Sequence, residues 1–119
     1  MTFNGDTGAH YTRNLNVVDN AGQGNTWDAT RTNVPTIWAP AGNAGAGFFG
    51  TFDTTISDYS QTDRNKAITG LANSIANVGD DYSAVLQGMW FSTAAITQIT
   101  LAVDGNFVVG SRVALYGEI

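Results

Sequence analysis

The sequence contains no cysteine, one lysine, two prolines and no long apolar run. The absence of cysteine excludes a disulfide framework, a thiolate zinc site and a thiol nucleophile, and it suits assembly in a reducing cytoplasm. Few Lys and Arg are present to neutralise phosphates, and the formal net charge is −5, so no nucleic-acid partner is expected. No stretch approaches the roughly 20 apolar residues of a membrane span, and no charged segment followed by an apolar one begins the chain. We therefore expect neither a membrane partner nor a signal peptide.

Small and polar residues dominate what is present. The 119 residues include 14 glycines, and Ala, Thr and Asn are also abundant, whereas only 13% of the residues are charged. This composition favours turns and half-buried strands, and it lacks the Leu, Glu and Lys supply of a helical bundle. A chain of this length has room for one hydrophobic core. The sequence therefore predicts a single all-β domain over residues 1–119.

Alternating apolar and polar residues indicate where the strands lie. Residues 11–17 predict a strand whose inner face carries Tyr11, Leu15 and Val17, and the aromatic and Thr content of 48–56 predicts a second. Further strands are expected at 82–91, 96–103 and 107–116, and 96–103 has the clearest alternation. Several short strands separated by turn signals are typical of an antiparallel β-sandwich or barrel.

Residues 63–78 fit two structures. Ile68, Leu71 and Ile75 follow the i, i+3, i+7 spacing of a short helix, but Gly70 and the neighbouring asparagines weaken a helix. A strand from residue 66 to residue 72 fits the same stretch equally well. Periodicity alone does not separate the two interpretations.

Residues 19–47 are rich in glycine and contain both prolines, which predicts a long flexible arm within the domain. Trp27, Ile37 and Trp38 lie in this arm, and Phe48 and Phe49 directly follow it. Aromatic anchors of this kind serve a protein interface, an ordinary core or a sugar-stacking site, and we favour the interface. Trp90, in a Gly-Met-Trp-Phe strand, is expected in the core.

The sequence offers little for catalysis or metal binding. His10 is the only histidine, and it stands between a turn and a strand, where no partner for a general base is evident. The Asp80-Asp81 pair and the Asp-Gly-Asn turn at 104–106 are too short for a calcium loop. No Gly-x-Ser-x-Gly elbow and no phosphate loop with its lysine are present. We expect no enzymatic activity, no metal and no cofactor.

Several stretches resemble small structural proteins of tailed bacteriophages. Residues 3–11, FNGDTGAHY, resemble the FNGDTGANY stretch of that family. The run of 95–101, 106–107 and 110–117, which ends in GSRVALYG, resembles its closing signature, and residues 56–59 with Lys66 also fit. The resemblance covers most of the chain in patches, and none of the patches is a catalytic motif.

The resemblance implies an all-β virion protein of jelly-roll or related sandwich type, without enzymatic activity. Such proteins decorate capsids or form modules of tail fibres and head fibres. In the family, further strands precede the Asn-Gly-Asp-Thr-Gly turn, whereas here Met1 stands three residues before Asn4. Because exposed sheet edges pair with other chains, we expect a neighbouring subunit to complete or cover that edge.

Two functions follow as hypotheses. In the first, the chain is a capsid decoration or cement protein on the virion surface, assembled in the host cytoplasm. It would bind the major capsid protein and form a homo-oligomer, a trimer rather than a dimer, with the 19–47 arm making the contacts. In the second, it is a fibre module that recognises a host-surface glycan through exposed Trp27, Trp38 or Tyr59. An enzyme such as a glycan hydrolase is the weakest alternative.

Overall fold

The computed structural model describes residues 1–34, 46–78, 80–103, 107 and 109–117, and its secondary structure is entirely β. Five strands form one antiparallel sheet in the order β3-β2-β6-β5-β4, and two short strands, β1 and β7, form a second. The strand bounds are β1 Thr2–Phe3, β2 Tyr11–Asp19, β3 Gly22–Arg31, β4 Gly50–Ile56, β5 Lys66–Asn77, β6 Asp80–Trp90 and β7 Ile99–Thr100. The described residues contain no helix long and apolar enough to cross a membrane.

The core lies on one side of the five-stranded sheet, which we call the inner face. The central strands β2 and β6 contribute Tyr11, Leu15, Leu86 and Trp90, which share that face because side chains alternate along a strand. The short sheet of β1 and β7 brings Phe3 onto these residues, with its ring centroid 5.4 Å from that of Trp90. The remaining buried apolar residues are Met1, Val34, Ile68 and Ala84.

Three of the predicted strands are confirmed, with shifted ends. Tyr11–Asp19 is β2, with Tyr11 and Leu15 buried and Val17 partly buried against the core. The strand predicted at 48–56 begins at Gly50, and the one predicted at 82–91 runs from Asp80 to Trp90. Trp90 is buried in the core as expected.

The ambiguous segment 63–78 is a strand. In β5, Ile68 is buried on the inner face, whereas Leu71 and Ile75 lie on the opposite side of the sheet and are exposed. The helical spacing of these three residues therefore arose from two different faces of one strand. The pairing of β5 with both β4 and β6 supplies backbone hydrogen bonds along most of its length, so tertiary context decides the structure.

The prediction of a flexible arm over 19–47 is wrong for Gly22–Arg31, which form the edge strand β3. A tight turn after Asp19 reverses the chain: the Asp19 side chain accepts a hydrogen bond from the Ala21 nitrogen, and Gly22 takes a φ of 131°. Gly22, Gly24 and Asn25 then pair regularly with β2. A turn-rich composition is compatible with an edge strand when a neighbouring strand fixes the backbone. Residues 35–45 of the predicted arm lie outside the described residues.

Two further predictions need correction. The segment 96–103 forms a strand only at Ile99–Thr100, because its partner β1 has only two residues. The segment 107–116 forms no strand in its described part, residues 107 and 109–116. Alternation of apolar and polar residues indicates that a segment can form a strand. The segment also needs a neighbouring strand that is long enough to pair with its backbone hydrogen-bonding groups.

Candidate functional site

Asp6 connects the N-terminal turn to the end of the central strand β6. Its carboxylate accepts hydrogen bonds from the Trp90 indole Nε1 at 2.7 Å, from the Gly8 nitrogen at 2.9 Å and from His10 Nδ1 at 2.9 Å. These donors stabilise the charged form and lower the pKa of Asp6, with Trp90 contributing most, although partial desolvation opposes them. A Cβ at Gly8 would lie 2.6 Å from the His10 ring, so glycine permits this close approach.

The Asp6–His10 pair resembles the arrangement that orients a general base. Here, however, the carboxylate also accepts hydrogen bonds from Trp90 and Gly8, and the hydrogen bonds described for the His10 side chain both go to Asp6. No hydroxyl or thiol nucleophile is among the described contacts of the ring. The pair therefore stabilises the turn of residues 3–11.

Asn4 joins that turn to residues 95–98. Its amide donates to the Ala95 carbonyl at 2.8 Å, and its Oδ1 accepts from the backbone nitrogens of Thr97 at 2.8 Å and Gln98 at 3.1 Å. Asn4 takes a φ of 50° and Gly5 a φ of 71°, a left-handed pair that asparagine and glycine tolerate best. These contacts make the Asn-Gly turn a structural element.

Lys66 and Tyr59 reach the same part of the molecule. Lys66 is fully buried, and its Nζ donates to the carbonyl oxygens of Arg64 at 2.6 Å and Thr93 at 3.4 Å. The Tyr59 carbonyl accepts from the Ile96 nitrogen at 2.7 Å. The stretches 3–11, 56–66 and 91–98 therefore meet at one end of the sheet, although they are far apart in the sequence.

The second candidate region is the side of the five-stranded sheet that faces away from the core, which we call the outer face. Strand pairing aligns its side chains in rows across all five strands. One row is Gln23, Val18, Ser83, Asn73 and Thr51; the next is Asn25, Asn16, Val85, Leu71 and Asp53; the third is Trp27, Asn14, Gln87, Thr69 and Thr55. The rows are mostly amides and hydroxyls, with apolar residues between them.

A shallow concavity of about 570 Å³ lies over the first two of these rows. Its edges are Gln23 on β3 and Asp53 on β4, and its floor includes Val18, Leu71 and Val85. Adjacent strands are separated by about 4.8 Å, so a concavity that crosses five strands is about 19 Å across. This shape suits an elongated ligand better than a small compact one.

The outer face carries carboxylates but no cation at its described strand positions. Asp53 lies in the second row, and Asp81 lies beside Ile75 beyond the first row. The arginines of the sheet are on the inner side, where Arg13 donates to Asp28 at 2.7 Å and Arg31 lies 4.0 Å from the same carboxylate. The outer face is therefore uncharged to weakly acidic.

The structure places the predicted interface residues apart. Trp27 projects from the edge strand β3 with 67% of its surface exposed, whereas Phe49 is exposed just before β4, at the opposite edge. Phe48 is partly buried, and Ile37 and Trp38 lie outside the described residues. Tyr59, named for sugar stacking, lies beyond the end of β4 and away from Trp27. The three of these predicted residues that are described, Trp27, Phe48 and Phe49, thus do not form one patch.

Sequence reasoning missed the polar side chains that surround the concavity. Asn16, Gln23 and Asn73 were not predicted as binding residues. Asparagine is a common turn residue, and Gln23 lies in a glycine-rich segment. The signal that could have identified Asn14 and Asn16 was their position as alternate residues of a predicted strand. Gln23 and Asn73 could not be placed without the strand pairing.

A third region is the C-terminal segment 109–117, which lies outside both sheets. Its large apolar side chains are exposed: Leu115 to 78% and Tyr116 to 88%, with Val109 and Val113 also facing solvent. Gly117 lies close to Tyr59 in the turn after β4, since a Cβ added to the glycine would be 3.4 Å from the tyrosine hydroxyl. Such a run of exposed apolar residues marks a surface suited to a protein partner.

No group of three or more His, Asp or Glu residues that could hold a metal ion occurs among the described residues. No protein-family model matches the chain, and neither the curated proteins nor the solved structures that were compared include a match.

Proposed function

We propose that the chain is a structural protein of a tailed-phage virion, a decoration protein that binds the outer capsid surface and bridges neighbouring capsid subunits. The resemblance of residues 3–11, 56–59 and 95–101 to such proteins motivates the proposal. Hydrogen bonds of Asn4, Tyr59 and Lys66 join these stretches at one end of the sheet. This supports the proposal, because the resembling stretches then form one structural unit. The proposal includes no enzymatic activity, cofactor, nucleic acid or membrane.

The exposed C-terminal segment is the observation that carries the proposal. Full burial of a large aliphatic side chain contributes about 1.5–3 kcal/mol, which Val109, Val113 and Leu115 do not gain within the described chain. A partner chain that covers the segment would recover this free energy. Repeated over many copies on a symmetric shell, such contacts would resist its expansion.

We propose that the partners are the major capsid protein and further copies of this chain, with a trimer favoured over a dimer. The edge strands β3 and β4 have one paired side each among the described strands, so either could accept an extended segment of a neighbour. A jelly-roll-like β-sandwich is proposed as the complete architecture, with the five-stranded sheet as one layer.

Cryo-electron microscopy of the virion tests this function. We expect density that fits the seven-stranded domain on the outer capsid surface, at junctions between capsid subunits, with residues 109–117 in contact with a neighbour. Density at a tail or fibre tip instead would contradict decoration.

The second candidate function is a tail-fibre or head-fibre module that binds a host-surface glycan. The exposure of Trp27 at the edge of an amide-rich sheet face favours it. Aromatic rings supply an apolar surface for stacking, whereas amides and hydroxyls both donate and accept hydrogen bonds.

A further inference from the structure

We propose that the concavity of the outer face binds an uncharged oligosaccharide. This inference deepens the second proposed function and rests on it, and it assigns the ligand class, the position and the contacting residues.

The polar side chains of the concavity match the hydroxyl groups of a sugar. Each sugar hydroxyl both donates and accepts, as do the side chains of Asn16, Gln23 and Ser83. Asn73 is held in one orientation, because its Oδ1 accepts a hydrogen bond from the Thr51 hydroxyl at 2.6 Å. Its Nδ2 group is thereby kept as a donor, and the exposed Asp53 carboxylate provides acceptors at the far edge.

The apolar residues of the same region match the C–H surfaces of sugar rings. Val18, Leu71 and Val85 are exposed to 53%, 62% and 47% within the floor of the concavity. Trp27 belongs to the next row, beside Asn14, and offers most of its surface to solvent. A chain of several sugars that crosses the sheet would contact the apolar floor and reach Trp27 at the β3 edge.

The charge of the face selects among ligand classes. Anionic glycans and nucleic acids would meet Asp53 and no cation at the described strand positions of this face, within a chain of net charge −5. A second copy docked through the same face would place the Asp53 carboxylates and many amides in a shared interface without cationic partners. An uncharged oligosaccharide avoids both costs.

The test is a microarray of neutral and anionic oligosaccharides probed with the full chain, followed by calorimetric titration of the best neutral probe. Three variants are compared with the wild type: Trp27→Ala and Asp53→Ala at opposite edges of the outer face, and Tyr59→Ala as an exposed aromatic control away from it. Circular dichroism establishes that each variant is folded. We expect neutral probes to bind, the Trp27→Ala and Asp53→Ala variants each to lose about tenfold in affinity, and Tyr59→Ala to bind like the wild type.

The possible outcomes distinguish a failure of the outer-face site from a failure of the second proposed function. If a neutral probe binds but neither Trp27→Ala nor Asp53→Ala weakens it, the outer-face site is refuted and the glycan-binding module stands. If only anionic probes bind, the site for an uncharged oligosaccharide is refuted and the glycan-binding module stands. If no probe binds, both the site and the second proposed function are refuted. A concentration-dependent dimer that Trp27→Ala abolishes in light scattering would show that a second copy occupies the face, which also overturns the proposal.

Discussion

At the scale of single residues, Asp6 stabilises the N-terminal turn through the hydrogen bonds that its carboxylate accepts. Replacing it by asparagine removes the charge and leaves one acceptor oxygen for the donors of Trp90, Gly8 and His10. Hydrogen bonds to charged groups contribute about 1.5–3 kcal/mol each, so we predict that Asp6→Asn lowers the free energy of unfolding by about that amount. Urea denaturation at neutral pH measures it. Asp63→Asn, which alters a solvent-exposed ion pair with Arg64, is the control and should change stability little.

The same residue predicts a dependence on pH. Because the pKa of Asp6 is lower in the folded protein than its ordinary value of 3.8, its stabilising contribution is complete above that value and is lost as the pH falls through the folded-state pKa. The stability difference between the wild type and Asp6→Asn should therefore be constant near neutrality and shrink in acid. Urea denaturation across the acid range measures this difference. A difference that grows on acidification would mean that the carboxylate is not stabilised by these donors.

At the scale of elements, the close contact between β2 and β6 depends on Gly88. A Cβ at this position would lie 2.7 Å from the Thr12 carbonyl oxygen and 3.3 Å from Val34 Cγ1, and the backbone oxygen cannot move without disturbing the strand pair. We predict that Gly88→Ala destabilises the fold by about 1–3 kcal/mol or more. Gly24→Ala is the matched control, because it is also in a strand but has no atom within 4 Å of the added Cβ. Thermal unfolding of both variants decides the point, and equal effects would contradict the packing.

The elements also show how far the sequence predicts the structure. Strand β2 was predictable because its apolar residues alternate with polar ones, and β6 was predictable because an apolar run follows a Gly-Asp-Asp turn signal. Strand β3 was not, since its glycines and asparagines indicate a loop until β2 is placed beside it. The opposite error occurred at residues 96–103, where a long strand was predicted from alternation. Only two of these residues form a strand, because β1 offers only two residues for pairing. The rows of the outer face depend on strand order, which a single sequence does not contain.

At the scale of the whole molecule, assembly is predicted to depend on the C-terminal segment. Leu115 and Tyr116 are largely exposed in the single chain, so the double variant Leu115→Ser, Tyr116→Ser should leave the fold of each chain intact. If a neighbouring copy covers both side chains, each contributes about 1.5–3 kcal/mol, and their removal should raise the dissociation constant about a hundredfold or more. Size-exclusion chromatography with light scattering measures the association.

Leu71→Ser is the control for that experiment, since Leu71 is an exposed leucine of the outer face. It should lower apolar exposure, by less than the double variant does, without changing the oligomeric state. If the control dissociates the oligomer and the C-terminal variant does not, the sheet face is the interface between copies, and the concavity cannot then be open to a glycan. A wild-type chain that stays monomeric at all concentrations would contradict self-association. The capsid protein would then be the remaining proposed partner of the C-terminal segment, because the apolar side chains of the segment would stay exposed in the monomer.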